Sequence, residues 1–160
     1  GVVEPATLNC PGQVVIAGAA EAVAEAGRLA LSAGASRVVP LQVSGPFHSS
    51  LMRPAAEEFA RELAKADLRP ACLPVVANVT AKPATEPEEI RRLLAEQICS
   101  PVRWEESVRF MLAAGVETFL ELGPGRVLSG LVRRTSREAR TIAVGDEAGL
   151  KEALAFLGEV

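Results

Sequence analysis

Short apolar runs alternate along this chain with longer stretches whose apolar residues return every third or fourth position. Such switching between strand-like and helix-like periods is the signature of an α/β protein. The runs predict six strands: Val2–Leu8, Gln13–Ala17, Arg37–Val43, Leu73–Asn78, Glu117–Leu122 and Arg140–Val144. Each is rich in Val, Ile and Leu, the pattern of strands covered on both faces. The longer stretches predict helices. Residues Ala20–Ala33 set Val23, Ala26, Leu29, Ala30 and Ala33 on one face and end at Gly34, a residue suited to a helix C-terminus. In Leu51–Ala66, the residues Leu51, Ala55, Phe59 and Leu63 form a stripe at i,i+4 spacing. A third helix begins at Thr85, where Thr85 and Glu88 match a capping box, and runs to Gln97. Trp104, Val108, Met111 and Leu112 mark a fourth, stopped by Gly115; Val127–Arg134 and Glu147–Leu157 complete the set. A shift in composition at Ser44–Pro46 divides residues 1–43 from residues 44–160.

Composition narrows the function. With 160 residues the chain can bury a real core. A net charge of −3, 4% aromatics and no tyrosine exclude a basic, base-stacking nucleic-acid platform. No apolar run approaches the ~20 residues of a membrane span. The opening residues lack the basic-then-apolar order of a signal peptide, so a cytoplasmic location is expected. Val2 enters a strand almost at once, which reads as a chain missing its front. Cys10, Cys72 and Cys99 lie far apart with no metal-ligand spacing, and are expected to be reduced, mostly buried thiols with no metal site.

The segment Leu41-Gln-Val-Ser-Gly-Pro-Phe-His-Ser-Ser-Leu-Met runs from a predicted strand end, through a Gly-Pro turn, to a predicted helix start. Loops at strand C-termini are where open α/β sheets carry active sites. His48 would meet the positive end of the helix dipole, which favours the neutral, proton-accepting imidazole. A histidine that merely fills a loop fits the same spacing. No Gly-x-Ser-x-Gly elbow occurs. Ser44 lies too close along the backbone to serve His48, and Ser49 and Ser50 read as helix caps. A base is present without its nucleophile. The Leu122-Gly-Pro-Gly-Arg-Val-Leu segment lacks the continuation of a phosphate loop and reads as a tight strand-to-helix turn.

Five segments occur in order: Asn9-Cys-Pro-Gly-Gln-Val-Val-Ile-Ala-Gly, Val43-Ser-Gly-Pro-Phe-His-Ser-Ser-Leu-Met, Pro74-Val-Val-Ala-Asn-Val-Thr, Gln97-Ile-Cys-Ser-Pro-Val-Arg-Trp and Glu121-Leu-Gly-Pro-Gly-Arg-Val-Leu-Ser-Gly-Leu. Together they resemble the C-terminal half of the malonyl-CoA:acyl carrier protein transacylase family, over nearly the whole chain. Acyltransferase domains of polyketide synthases are the main alternative. The resemblance implies a hydrolase-like α/β core with an inserted ferredoxin-like lobe. Residues 1–43 would be the last part of that lobe, and residues 44–160 the remaining core.

It also implies roles. His48 matches the catalytic base, and Gln97 the residue whose backbone carbonyl orients it. Because that acceptor is a backbone atom, replacing the Gln97 side chain is expected to have little effect. Phe47 matches the form found in malonyl-selective enzymes, where a ring would exclude an α-methyl branch, though it equally suits simple loop packing. Asn9 matches an asparagine near the cleft that touches thioester or carrier. The nucleophilic serine, the arginine for the malonyl carboxylate and the oxyanion-hole glutamine belong to the family's N-terminal half, so this chain is expected to be inactive alone. Its implied partners are that missing half, malonyl-CoA and acyl carrier protein, with no cofactor, in fatty acid biosynthesis. The rival from another class is a non-catalytic domain that docks the carrier and keeps an idle His48.

Overall fold

The computed structural model describes residues 1–158. Two strands open the chain, β1 (Val3–Cys10) and β2 (Gln13–Gly18), paired antiparallel. Their register slips directly after Pro5, which has no N–H to give the ladder, and again between Leu8 and Cys10. Helix α1 (Ala20–Ser32) follows. It closes as expected at Gly34, whose φ of 100° lets Gly34 N–H reach Leu31 O (3.1 Å) and Ala35 N–H reach Ala30 O (2.9 Å).

The predicted strand Arg37–Val43 does not form. The segment is irregular, and Val39, Leu41 and Val43 are 60%, 55% and 63% exposed. A run of valines favours a pleated surface, but a strand needs a ladder partner, and none of the described strands pairs with it. Val38 is seated instead over Gly27 of α1, where an added Cβ would come within 3.1 Å of it. The predicted strand Leu73–Asn78 contracts to β3 (Val75–Val76), paired antiparallel with β4 (Pro83–Ala84). Pro74 precedes this ladder and Pro83 sits in it, and the tight loop between the strands (Ala77 N–H to Lys82 O, 3.0 Å) ends the pairing.

The helix expected from Leu51 begins as a 3₁₀ turn, Ser50–Met52, and becomes α2 (Arg53–Leu63). Only Ala56 of α2 is buried, so the stripe through Ala55 and Phe59 is not covered by the chain's own core. Helix α3 (Pro87–Glu96) has Glu86 at its N-cap and no side-chain cap bond. The expected Thr85–Glu88 box is therefore not made; Thr85 gives its carbonyl to Ala71 N–H (2.9 Å). Arg91 of α3 donates to Leu63 O and, at 3.1 Å, to Ala66 O, closing the end of α2. This bond draws α2 and α3 together as neighbours.

Helix α4 (Trp104–Ala113) leads into β5 (Thr118–Leu122), α5 (Val127–Thr135), β6 (Arg140–Val144) and α6 (Glu147–Gly158). β5 and β6 pair in parallel with α5 as the crossover, a β-α-β unit. Val108, Val132 and Ala139 form the core with Trp104, Met111, Leu112 and Phe119 against them, and Ile142 of β6 is buried. β1 joins the rest of the chain through Leu8 N–H to Val102 O (2.8 Å) and Val102 N–H to Ala6 O (2.9 Å). Among the described residues no helix is long and apolar enough to cross a membrane, and no cluster of three or more His, Cys, Asp or Glu could hold a metal. Cys10 is buried, Cys99 half-buried and Cys72 exposed, so only the first matches the expected buried thiol.

Candidate active site

His48 has a φ of 63°, the left-handed region that β-carbons disfavour, and it is one of two non-glycine residues there among those described. A side chain held so needs its surroundings to fix it, typically against a penalty of ~1–3 kcal/mol. Two consecutive carbonyls do this. His48 N–H donates to Ile98 O at 3.2 Å, and His48 Nδ1 stands 2.9 Å from Gln97 O. Gln97–Cys99 is a 3₁₀ turn continuing α3, at the end of a helix, where backbone carbonyls lack intrahelical donors. The imidazole Nδ1–H fills one such vacancy in the helix bonding. With Nδ1 carrying the proton, Nε2 is left as the acceptor. The same turn is tied on its other side: Asn78 Nδ2 donates to the Gln97 side-chain oxygen at 2.9 Å.

Both serines after the histidine are engaged, in ways the capping expectation did not foresee. Neither makes a side-chain cap bond. Ser49 is fully buried and its hydroxyl donates back to Pro46 O at 2.6 Å. Ser50 is gripped by Glu4 of β1, which accepts its N–H at 2.6 Å and its hydroxyl at 2.9 Å. Those two bonds, the amide first, hold the Glu4 carboxyl below the usual carboxylate range; partial burial opposes them and Arg53 adds to them. A carboxylate from another strand thus caps the turn that carries His48.

Phe47, His48, Met52, Ala55, Phe59, Gln97 and Ile98 line one open cleft of about 490 Å³. Apart from the imidazole and the glutamine, its lining is apolar. It offers one proton acceptor and no hydroxyl, thiol or carboxylate, so chemistry here needs a nucleophile and a charge-binding group from elsewhere. Of the four residues singled out in the sequence, His48, Gln97 and Phe47 meet in this cleft. Asn9 sits half-buried in β1, where the register slips, and is not part of the lining.

The Leu122–Leu128 turn binds its own anion. Glu121 accepts Leu128 N–H at 3.0 Å and Ser129 N–H at 2.8 Å, so the first amides of α5 are occupied by a carboxylate. Burial pulls that carboxyl upward, but the hydrogen bonds from Ser129, Leu128 and Val127 prevail and hold it below the ordinary range.

The model of the acyl transferase domain matches residues 2–154. The chain belongs to that family. It is 50% identical over 158 residues to a malonyl CoA-acyl carrier protein transacylase of Bacillus subtilis, covering 99% of this chain and 50% of that protein. A solved acyl-carrier-protein-S-malonyltransferase of Bartonella henselae superposes with a TM-score of 0.95 at 40% identity, over 99% of this chain and 50% of the other. A second solved structure, a malonyl-transacylase in complex with its type II PKS acyl-carrier protein, gives a TM-score of 0.93 at 46% identity, over 96% of this chain and 50% of its own. The chain spans about half the length of the relatives it matches. Asn78, which anchors the Gln97 turn, and Glu4, which anchors the turn after His48, escaped the sequence reading of the site. Asn78 lies in the quoted Pro74–Thr80 segment, so a signal existed; for Glu4 there was none, because only the fold brings β1 to residue 50.

Proposed function

We propose that this chain supplies the base-bearing half of a malonyl-CoA:acyl carrier protein transacylase, with His48 as the general base. The observation that carries the reading is the 2.9 Å contact between His48 Nδ1 and Gln97 O at the wall of an otherwise apolar cleft. A carbonyl in this place fixes the tautomer as the aspartate of a triad does, without adding a charge.

In the first half-reaction, His48 Nε2 takes the proton of a serine hydroxyl on the nucleophile-bearing half while its oxygen attacks the malonyl thioester carbonyl. The C–S bond then breaks, and the coenzyme A sulfur leaves with the proton from the imidazolium. In the second, His48 takes the proton of the carrier's phosphopantetheine thiol. That sulfur attacks the seryl ester, and the serine oxygen departs with the proton. The Gln97 carbonyl favours the imidazolium in each step because its dipole faces the cation as it forms. Phe47 then stands where a ring would oppose an α-branch on the acyl group, and Asn9 on β1 is assigned to the thioester arm or carrier. In this reading residues 1–43 finish a ferredoxin-like lobe, residues 44–160 belong to a hydrolase-like core, and the reaction serves fatty acid synthesis in the cytoplasm without a cofactor.

Intact-mass measurement after incubation with malonyl-CoA, carrier omitted, tests the proposal. The whole polypeptide is expected to gain one malonyl ester on a serine outside this segment, and the 160-residue chain alone none. A malonyl ester formed by the chain alone would overturn it.

A further inference from the structure

The cleft explains what His48 touches, but not why the Gln97 carbonyl stays where it is needed. That carbonyl belongs to a short 3₁₀ turn, Gln97–Cys99, and such turns hold themselves with poor hydrogen-bond geometry. Its own next bond is loose, with Ser100 N–H lying 3.5 Å from Gln97 O. A wandering carbonyl would free the imidazole to rotate or to change tautomer. The other end of the same residue is fastened. Asn78 Nδ2 donates to the Gln97 side-chain oxygen at 2.9 Å, and both residues are half-buried, where a hydrogen bond is less diluted by water.

Asn78 is itself held firmly. It sits in the tight loop between β3 and β4, closed by Ala77 N–H to Lys82 O (3.0 Å) and Ala81 N–H to Ala77 O (2.8 Å), with Ala81 at a φ of 54°. Its carbonyl accepts Arg103 N–H at 2.9 Å. The Arg103 guanidinium reaches Val79 O and Thr80 O and pairs with Glu106. The loop is therefore clamped from the segment that follows the Gln97 turn.

We infer that Asn78 is a positioning residue for proton transfer: through the Gln97 side chain it fixes the carbonyl that sets the tautomer and direction of His48. The inference rests on the transacylase reading for its rate consequence, and on geometry alone for its effect on the ring. It also revises the expectation that the Gln97 side chain is idle.

The test uses the whole polypeptide that contains this segment. Asn78→Leu removes the donor while keeping the heavy-atom count and the branching at Cγ, and Gln97→Met breaks the same bond from its other end should the first variant fold poorly. Either is expected to lower kcat about five- to tenfold, with KM for malonyl-CoA unchanged within about twofold, because the lost bond of ordinary strength acts only on the proton-transfer step. The double variant is expected to lose no more than the worse single. Asn78→Asp should recover most of the rate, since the Gln97 amide can turn and donate to it. ¹⁵N and ¹H resonances of the His48 ring, identified by their loss in His48→Gln, should show Nδ1–H as the sole tautomer in the parent and a mixture in Asn78→Leu. An unchanged ring signature, additive losses, or Asn78→Asp as impaired as Asn78→Leu would each overturn the inference. A parent polypeptide that transfers no malonyl group would sink the functional reading instead, and the ring resonances would still decide the role of Asn78.

Discussion

At the scale of single residues, the site is a strained histidine kept in place by backbone. His48 accepts a left-handed φ because Ile98 O, Gln97 O and, two residues on at Ser50, the Glu4 carboxylate all hold its turn. Glu4 makes that arrangement depend on pH. Its carboxyl is held below the usual range in the folded chain, so its bonds to Ser50 stabilise fully above the unfolded-state value of roughly 4.3 and are lost as pH falls through the lower folded value. Protection of the Ser50 amide against hydrogen exchange, corrected for intrinsic rate, should hold down to roughly pH 4.3 and fall on further acidification in the parent. In Glu4→Gln it should be weaker and flat across the same window. A parent whose Ser50 protection does not respond to acid would remove Glu4 from this role. Much of this level was legible in advance. His48, Phe47 and Gln97 stand in quoted segments and meet in space. The serines were not, since a Ser before a helix signals a cap, and only the fold reveals that Pro46 O accepts the Ser49 hydroxyl and Glu4 the Ser50 hydroxyl.

At the scale of elements, regular pieces follow their periodic pattern and irregular ones follow their partners. The hairpin β1–β2 and the β5-α5-β6 unit lie within a residue or two of expectation because each contains its own pairing partner nearby in sequence. Arg37–Val43 has the composition of a strand and no partner among the described residues, and composition cannot supply one. Glu121 shows how an element boundary is fixed from outside the helix it caps. Glu121→Ala leaves the first amides of α5 without their acceptor and is expected to destabilise the fold by about 1–2 kcal/mol, read as a lower midpoint in urea. The difference between parent and variant should shrink as pH falls, since a depressed carboxyl contributes stability only while ionised. A pH-independent or negligible difference would mean that the cap carries no weight.

At the scale of the whole molecule, the chain shows apolar surface that its own core does not use. Leu122 is 78% exposed, Val127 71% and Leu154 59%, and the irregular Val38–Val43 segment adds more. On the proposed reading, these exposed side chains are the ones the nucleophile-bearing half would cover. Produced alone, the chain is expected to bind ANS and to self-associate; with the nucleophile-bearing half present, both signals should fall. Chain alone that stays monomeric without binding dye would argue against a second half resting there. Malonyl transfer to carrier protein by the whole polypeptide should fall about 10²–10⁴-fold in kcat on His48→Ala, with circular dichroism unchanged. A folded His48→Ala variant that transfers malonyl at the parental rate would contradict the account outright.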